Sequence, residues 1–320
     1  MECQKNIYKM DVSIIIVNYK TPKLLLDCIR SIYHFTKDVS FEIIVVDNNS
    51  EDNSKSTILR EFLDVNWIDM EYNAGFGRAN NKGIDVAKGR YTLLLNSDVE
   101  LYEDAISLTL DHYKSLELKQ KVGLVGCQIK HKNGKLQPSC NYYWAGLREV
   151  IEEHPIGIKI LQHWLRIKKL RSRDKYLNLS VNHKITWLGV PFALIDSEII
   201  KSFKFDEDFF LYSEDEELNF RLSKNGYSSF FFSGAGVYHH IGASSENNNK
   251  RDLQIFYSKL QFVKKAYGSL YFWIYCKLLT SCFKWNSKLD STGSKFYKIE
   301  EMNNYIDERG MLNVYKNFRD

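Results

Sequence analysis

The densest group of ionisable side chains lies between Phe205 and Leu218, where seven acidic residues stand beside four aromatic ones. Carboxylates this close repel one another, so at least one of them should have a raised pKa. A carboxylate of raised pKa beside an apolar wall is suited to take a proton from a hydroxyl group. The alternative is an acidic loop followed by a solvated helix, and we expect Glu216 and Glu217 to be solvated in this way.

A second candidate is Asn96-Ser97-Asp98, which directly follows the apolar run from Tyr91 to Leu95. An aspartate fixed at a strand end can hold one hard cation, with phosphate oxygens and water completing the coordination shell. Such a cation would offset the charge on a departing diphosphate. The alternative role for Asp98 is to cap a helix.

A glycine-punctuated turn runs from Asn73 to Asn81 and leads into a predicted helix. Glycine permits close approach of the backbone to a ligand, and a helix N-terminus favours an anion. The turn lies between the predicted strands that end at Asp47 and Asp98. This position makes a binding role more plausible than the glycines alone would.

Two adjacent histidines, His239 and His240, follow an apolar run that includes Val237. Neighbouring residues on an extended segment point in opposite directions, so at most one imidazole faces any one site. A neutral imidazole there could bind a metal ion. The residues alone favour an ordinary core or surface histidine.

Four short apolar runs predict strands that are buried on both faces, and polar amphipathic stretches between them predict helices. This alternation predicts a parallel sheet with right-handed crossovers, in which ligands lie beyond the carboxyl ends of the strands. Polar clusters follow three of the runs and should therefore meet at one rim. Ordinary turn and cap residues are the alternative. The predicted strands are Val12–Val17, Glu42–Val46, Tyr91–Leu95 and Gly123–Cys127, and the clusters are Asn18-Tyr19, Asp47-Asn48-Asn49 and Asn96-Ser97-Asp98.

Two further segments differ in pattern from this first half. From about Trp144 to Lys184, seven basic residues between positions 159 and 175 alternate with apolar ones, which predicts either a solvated face or a surface for anionic lipid. After a polar hinge at 246–249, a helical tail should either pack against the main domain or lie at a membrane interface. Its predicted apolar face is Tyr267, Leu270, Tyr271, Ile274, Tyr275, Leu278 and Leu279, with Phe272 and Trp273 on the opposite side.

The bulk composition is that of a globular protein of 320 residues with a net charge of +4. The basic residues do not form the single clustered face that nucleic acid requires, so we expect no nucleic-acid partner. Six scattered cysteines without paired spacing indicate a reduced compartment. Because the N-terminus lacks an apolar core and no run reaches eighteen apolar residues, we expect a cytoplasmic protein, with a peripheral position on the inner face of the cell membrane as an alternative.

Taken together, these motifs resemble glycosyltransferase family 2, and in particular its bacterial rhamnosyltransferase-like branch, which builds surface polysaccharides. The likeness runs from about Val12 to Ser244, roughly three-quarters of the chain. The matching segments are Ser13–Tyr19, Val46–Ser50, Asn73–Asn80, Leu95–Asp98, Phe205–Phe210, Glu214-Asp215 and Val237–His239, and Trp187-Leu188-Gly189 is similar to the family's sugar-lining segment.

The resemblance implies a GT-A fold, an α/β Rossmann-like arrangement with a mixed, mainly parallel sheet flanked by helices and a C-terminal helical extension. The GT-A domain would span 1–245, with its nucleotide-binding half at about 1–130 and its acceptor-binding half at about 131–245. The extension would span 246–320.

The resemblance also implies an inverting transfer from a dTDP- or UDP-sugar to a saccharide or lipid-linked saccharide. Asp215 would be the catalytic base, and Asp98 with His239 would hold Mn²⁺ or Mg²⁺. Trp187, Gly189 and Glu214 would line the donor and acceptor sugars. The implied nucleotide-binding set is Val17, Asn18, Tyr19, Asp47, Asn49, Asn73, Gly75, Phe76, Asn80, Asn96 and Ser97.

Two departures from the family pattern affect this expectation. Asn96 stands where the metal motif often has a first acid, so fewer protein ligands would hold the cation. Glu217 replaces the final aspartate of the acidic motif, whereas Asp215 is retained. Acceptor choice should reside in the basic segment and the tail, which match the family less well.

Two other classes of function remain as alternatives. A catalytically silent subunit that binds a nucleotide-sugar would need neither Asp98 nor Asp215. A nucleotidyltransferase would require a glycine-rich loop with a basic residue directly after the first strand, and the segment Asn18–Thr21 has no glycine. A dinucleotide-dependent oxidoreductase is disfavoured by the same missing glycines.

Overall fold

A computed structural model describes residues 8–153, 179–240 and 248–289 of the chain. In this part the strands are β1 (Met10–Asn18), β2 (Phe41–Asp47), β3 (Asn66–Asp69), β4 (Gly89–Asn96), β5 (Val99–Leu101), β6 (Val122–Lys130), β7 (Leu136–Gln137), β8 (Cys140–Asn141), β9 (His183–Ile185), β10 (Trp187–Leu188), β11 (Phe192–Asp196) and β12 (Ser228–His239). The helices are α1 (Pro22–Phe35), α2 (Ser54–Glu61), α3 (Phe76–Val86), α4 (Ala105–Glu117), α5 (Leu147–Glu153), α6 (Ser197–Phe203), α7 (Glu214–Lys224) and α8 (Asn248–Leu289).

The main sheet has the strand order β3-β2-β1-β4-β11-β6-β12-β5, with β7 beside β6 and β9 beside β12. Strands β3, β2, β1 and β4 are parallel, and β6 is parallel to β12, whereas β11 is antiparallel to both β4 and β6. Because β11 reverses the direction twice, β4 and β6 run the same way. The predicted mixed, mainly parallel sheet is therefore confirmed.

The predicted buried strands occur as β1, β2, β4 and β6. In β1, Ile14 and Ile16 belong to one apolar cluster, whereas Ile15 belongs to the cluster on the other face of the sheet, and all three are fully buried. Helices on both faces are required to bury such a strand. Helix α1 covers the first face with Leu25 and Ile29, as its helical spacing predicts.

Helix α1 begins at Pro22, and the preceding Thr21 does not cap it. The Thr21 side chain makes no capping hydrogen bond to the helix, and its hydroxyl group instead donates to the Asn18 side chain at 2.9 Å. Proline at the first turn removes one N–H that would otherwise need a partner. The Thr21 hydroxyl thus belongs to the polar rim of the sheet rather than to the N-terminus of α1.

Two compact units divide the described residues. Residues 8–144, 179–240 and 248–258 form the first unit, and residues 145–153 and 259–289 belong to the second. The first unit contains the whole sheet. The predicted boundary at 245/246 stays a prediction, and most of the predicted basic segment, residues 154–178, lies outside the described residues, as does the start of the predicted hinge.

The tail is helical, as predicted, but its buried face differs from the prediction. Leu270, Ile274 and Leu278 are exposed, whereas Phe272 is buried. Phe272, Tyr275, Cys276 and Leu279 form the buried stripe instead, in the helical segment that follows a break at Gly268, where φ is 80°. Across the part of the chain that the structure describes, no helix combines the length and the hydropathy needed to cross a lipid bilayer.

Candidate active site

The carboxyl ends of β1 and β2 are joined by a buried polar network. Asn18 is paired with Asp47 in the parallel register, and its side-chain amide donates to Asp47 Oδ1 at 2.6 Å. The Ser50 hydroxyl also donates to Asp47 Oδ1 at 2.6 Å, and the Ser50 N–H donates to Oδ2 at 2.9 Å. Charge-assisted hydrogen bonds of this kind hold a carboxylate in one orientation. The predicted nucleotide-binding pair is thus rigid, with Ser50 as an unpredicted third member.

A cavity of about 300 Å³ opens beside Asp47, between the ends of β2 and β3. Its wall includes Asn49, whose φ is 61°, together with the aromatic ring of Trp67. Asp69 also lines it, and its side chain pairs with Lys55. Carboxylate acceptors and an aromatic wall suit the N–H groups and the flat face of a nucleobase.

The glycine-punctuated turn is held between the Asp47 loop and the acidic loop. The Asn48 amide donates to Asn73 Oδ1 at 2.8 Å and accepts from the Ala74 N–H at 2.9 Å. On the other side, Phe76 N–H donates to the Phe210 carbonyl at 2.8 Å. A Cβ on Gly75 would lie 2.2 Å from that carbonyl, and its φ is +86°, so glycine is required there.

The remaining predicted nucleotide residues differ in exposure. Tyr19 is 36% exposed, and Val17 is half-buried. Asn80 is buried, and its amide donates to the Phe76 carbonyl one turn earlier. Asn81, which the sequence did not single out, accepts from Phe205 N–H and donates to its carbonyl, and so ties α3 to the acidic loop.

The turn Asn96-Ser97-Asp98 lies at the same rim as Asn18. The Ser97 and Thr21 hydroxyls are 3.0 Å apart, and Asn96 N–H donates to the Pro191 carbonyl at 3.1 Å. The Asn96 Oδ1 atom is buried and has no hydrogen-bond partner among the described residues. A buried acceptor without a donor costs free energy, which a ligand donor at this point would recover.

Asp98 lies directly against His239, as the resemblance implies. Asp98 Oδ1 is 3.1 Å from His239 Nε2, and both side chains are mostly buried. Gln137 contacts the other ring nitrogen, with 3.1 Å from its amide nitrogen to His239 Nδ1. His240 points elsewhere and contacts Glu100 Oε2 at 3.0 Å. The two imidazoles therefore point in different directions, and the His239 imidazole is the one beside the Asp98 carboxylate.

The pair of Asp98 and His239 fits a divalent cation only with help from a ligand. In residues 8–153, 179–240 and 248–289 no group of three or more His, Cys, Asp or Glu side chains could hold a metal ion. One carboxylate and one imidazole leave most positions of a hard cation to phosphate oxygens and water. Metal ligation through Nε2 would leave the proton on Nδ1, where the Gln137 carbonyl oxygen can accept it at 3.4 Å.

Asp215 lies in the first turn of α7, next to Glu214. Burial of its carboxyl group raises the pKa of Asp215 to about 6. Burial and the charge of Asp215 together raise the pKa of Glu214 well above its usual range, and Glu214 Oε2 has no hydrogen-bond partner among the described residues. Near neutral pH, Asp215 is therefore the carboxylate that is largely ionised and able to accept a proton.

A short segment connects Asp215 with the Asn96 turn. A Cβ on Gly189 would lie 3.6 Å from Asp215 Oδ2, and two residues later the Pro191 carbonyl accepts from Asn96 N–H. Asn219 fixes this segment, because its amide donates to both the Leu188 and Asp215 carbonyls. The predicted base and the predicted cation turn thus share one rim. Trp187, at the start of the segment, donates to the Tyr143 carbonyl at 3.1 Å.

The loop before Asp215 has a strained backbone. Tyr212 and Ser213 have φ values of 68° and 61°, in the left-handed region that residues other than glycine rarely adopt. The preceding carbonyl, Leu211 O, accepts from the Ser258 hydroxyl at 2.6 Å and from the Gln254 amide at 3.3 Å. These two hydrogen bonds from α8 therefore stabilise the left-handed conformation of Tyr212 and Ser213, which the loop would not keep without them.

The prediction that Glu216 and Glu217 are solvated is wrong, since they are 4% and 7% exposed. Glu217 can be buried because Arg221, one turn later, donates to it at 2.6 Å. Arg221 also donates to the carbonyls of Phe203 and Lys204. The Arg221 guanidinium group thus has a partner at each of its three nitrogen atoms. Glu217, the last acid of the motif, pairs with it rather than facing solvent.

The sequence missed Gln137, Asn219 and Ser258 for different reasons. Gln137 lies on a two-residue strand without a pattern, and Ser258 is an isolated polar residue in a long helix. Asn219 did offer a signal, because it lies one helical turn after Asp215, where side chains of a helix share a face.

The polar rim at the carboxyl ends of a parallel half-sheet defines a Rossmann-like α/β domain. The sequence model of glycosyl transferase family 2 matches residues 13–187, more than half of the 320-residue chain. The chain therefore belongs to glycosyl transferase family 2, as its motifs predict.

Curated relatives are similar over parts of the chain. The O-antigen biosynthesis protein RfbC of Myxococcus xanthus is 25% identical over 73% of this chain and 17% of its own length. Glycosyltransferase GlyG of Streptococcus pneumoniae is 34% identical over 30% of this chain and 32% of its own length. The chain thus matches less than a third of either relative. An N-acetylglucosaminyl-diphospho-decaprenol L-rhamnosyltransferase of Mycobacterium tuberculosis is 24% identical over 63% of this chain and 67% of its own.

Solved structures agree in fold. The mannosyltransferase PcManGT of Pyrobaculum calidifontis, in complex with GDP-Man and Mn²⁺, has a TM-score of 0.58 and 16% identity, covering 90% of this chain and 77% of its own. S. aureus TarS 1-349, in complex with UDP, has a TM-score of 0.53 and 18% identity over 93% and 78% of the two chains. Identities this low show the GT-A fold alone.

Proposed function

We propose that this chain is an inverting glycosyltransferase. It moves a sugar from a dTDP- or UDP-sugar to a saccharide or lipid-linked saccharide, in the synthesis of bacterial surface polysaccharide. The observation that carries the proposal is the Asp215 carboxyl group, whose pKa of about 6 suits a general base near neutral pH. Its link through Gly189 and Pro191 to the Asn96 turn supports a shared site.

Asp215 would act in a single displacement. The ionised carboxylate accepts the proton of an acceptor hydroxyl as that oxygen forms its bond to the anomeric carbon. The bond between the anomeric carbon and the diphosphate oxygen breaks on the opposite side. The configuration at this carbon is therefore inverted, and the proton ends on Asp215.

The donor would lie along the rim of the parallel half-sheet. Asn18 and Asp47 would hold the nucleoside, with the cavity beside Asp47 next to the base. Asp98 and His239 would hold Mn²⁺ or Mg²⁺, which neutralises charge on the diphosphate when bound. The Asn96 Oδ1 atom, which has no hydrogen-bond partner among the described residues, would accept a hydrogen bond from a hydroxyl group of the nucleotide-sugar.

The named relatives support the substrate class. The similarity to RfbC and to a decaprenol-linked rhamnosyltransferase favours a saccharide or lipid-linked saccharide acceptor. A neighbour bound to UDP and another bound to GDP-Man with Mn²⁺ favour a nucleotide-sugar donor and a divalent cation. A silent binding subunit is the alternative, but it would have no use for two adjacent buried carboxyl groups, which cost folding free energy when ionised.

A thermal-shift screen tests this proposal. UDP, dTDP and GDP compounds are each added with and without Mn²⁺, and a ligand at a hundred times its Kd stabilises the native state by about 2.7 kcal/mol. We expect an Mn²⁺-dependent shift with UDP or dTDP compounds. Incubation with the sugar donor that binds should then give a product of inverted anomeric configuration by NMR. No shift with any nucleotide, or a product of retained configuration, would contradict the proposal.

A further inference from the structure

The second half of α8 exposes an apolar face. Beyond the break at Gly268, Phe272, Tyr275, Cys276 and Leu279 are buried, at the spacing of one helical face. The opposite face is also apolar, and we call it the outer face. It consists of Leu270, Trp273, Ile274, Lys277 and Leu278, and its four apolar residues are 75%, 48%, 37% and 37% exposed.

Such a face is unusual for a helix surrounded by water. A surface helix normally carries its apolar residues on one stripe and its polar residues on the other. Here both sides are apolar, and Leu270, Ile274 and Leu278 follow one another at four-residue steps. A contiguous exposed apolar patch marks an interaction site more often than scattered single residues do.

The charged residues of α8 that follow Asp252 are all lysines. Between Leu253 and Leu289 the sequence contains six lysines and no acidic residue. Lys277 lies within the outer face, 5.8 Å from the centre of the Trp273 ring. Lys264 and Lys265 are exposed just before the break at Gly268. An apolar face with tryptophan and leucine, on a helical segment whose charged residues are all lysines, is typical of helices that lie in the interface of an anionic membrane.

We propose that the outer face binds the surface of an anionic lipid bilayer. Leu270, Trp273, Ile274 and Leu278 enter the boundary between headgroups and acyl chains, and the lysines contact lipid phosphates. A second copy of this chain fits less well, because two such faces would bring their lysines together. Binding of the outer face to a bilayer does not depend on the proposed transferase activity.

Vesicle flotation with the full chain tests the proposal. Vesicles of phosphatidylcholine alone are compared with an equimolar mixture of phosphatidylcholine and phosphatidylglycerol. We expect binding to the mixed vesicles that weakens with added salt, and little binding to phosphatidylcholine alone. The double substitution Ile274→Gln and Leu278→Gln should lower the binding constant at least about tenfold. Lys277→Glu should lower it about tenfold through charge.

A control variant shows whether two replacements of exposed leucine elsewhere on the surface alter vesicle binding. Leu63 and Leu118, which are 88% and 86% exposed on the first unit, are replaced by glutamine in a control double variant that should bind normally. Since all substituted residues are exposed, thermal midpoints should stay unchanged. Absence of binding to mixed vesicles, or normal binding by the Ile274→Gln/Leu278→Gln variant, overturns the proposal. A dimer in sedimentation velocity that this variant abolishes would also overturn it in favour of a second copy.

Discussion

Asp215 and Glu214 are adjacent carboxyl groups whose surroundings separate their protonation. Burial raises the pKa of Asp215 to about 6, whereas burial and the neighbouring charge of Asp215 raise the pKa of Glu214 well above its usual range. Two acids in one place can then have two roles, because Glu214 keeps its proton to a higher pH than Asp215 does. Asp215 can accept a proton, and a protonated Glu214 can donate a hydrogen bond to a sugar oxygen.

The pH dependence of kcat/KM should report this difference. A base must be ionised to act, so kcat/KM should fall about tenfold per pH unit below about pH 6, where Asp215 is protonated. Glu214→Gln should keep an acid limb near the same pH, because burial rather than the charge of Glu214 raises the pKa of Asp215. An acid limb that vanishes in Glu214→Gln would assign the base to Glu214.

The cation pair gives a second prediction at this scale. Asp98→Ala should weaken nucleotide binding in Mn²⁺ but leave metal-free binding unchanged, because Asp98 would hold the cation that offsets the charge of the diphosphate. Gln137→Ala should weaken Mn²⁺-dependent binding about tenfold, since it removes the partner that orients His239. Calorimetric titration with and without Mn²⁺ measures both. A metal dependence that Asp98→Ala leaves intact would remove Asp98 from this role.

At the scale of elements, the loop before α7 depends on its contacts with α8. Tyr212 and Ser213 hold left-handed conformations, which cost of order 1–3 kcal/mol each and persist only when surrounding contacts enforce them. The hydrogen bonds from Ser258 and Gln254 to Leu211 O supply such contacts. The first turns of α8 therefore belong functionally to the acidic loop.

Removal of the Ser258 hydroxyl should loosen the loop before α7. Ser258→Ala should lower the free energy of unfolding by about 1 kcal/mol and lower kcat several-fold with little change in the donor Kd. Thr280→Val is a matched control, because Thr280 on the same helix donates only to its own helix, at Cys276 O. Turnover and thermal unfolding of both variants measure the effect. Equal kcat values in the two variants would mean that Ser258 does not position the loop.

The elements differ in how much of them the sequence can predict. Strands β1, β2, β4 and β6 are predictable because their residues are apolar at every position and end at a polar cluster. The burial of Glu216 and Glu217 is not, since it depends on packing and on Arg221 reaching backbone carbonyls distant in sequence. The outer face of α8 was assigned to the buried side because both sides of this helix are apolar, so the helical spacing alone does not decide which side is buried.

The residues of the candidate site that belong to family motifs were predictable from the sequence. The residues that support them through tertiary contacts were less so. Asn18, Asp47 and Asp98 stand at or just after the carboxyl ends of parallel strands, so their common rim follows from the rule for parallel sheets. Asp215 starts a helix and is linked to this rim through the Gly189–Pro191 segment. The support from Gln137, Asn219 and Ser258 follows from contacts between distant segments, which a single sequence does not show.

At the scale of the whole molecule, the described residues combine a sheet-based unit that holds the candidate site with a second unit that carries the cationic, apolar outer face. The model of glycosyl transferase family 2 matches residues 13–187, which include the ends of β1, β2 and β4 at the rim. The proposed lipid contact belongs to the second unit. A lipid-linked acceptor and a lipid-binding face would be consistent with each other, although each is tested separately.

The most direct test of the central claim is the turnover of Asp215→Asn beside its nucleotide affinity. The substitution keeps the shape of the side chain but removes the base, so we predict a fall in kcat of at least about a hundredfold, with the Kd for the donor nucleotide in Mn²⁺ unchanged. Near-normal turnover would contradict the assignment of Asp215 as the base. A parallel loss of nucleotide affinity would show that the carboxylate supports donor binding rather than proton transfer.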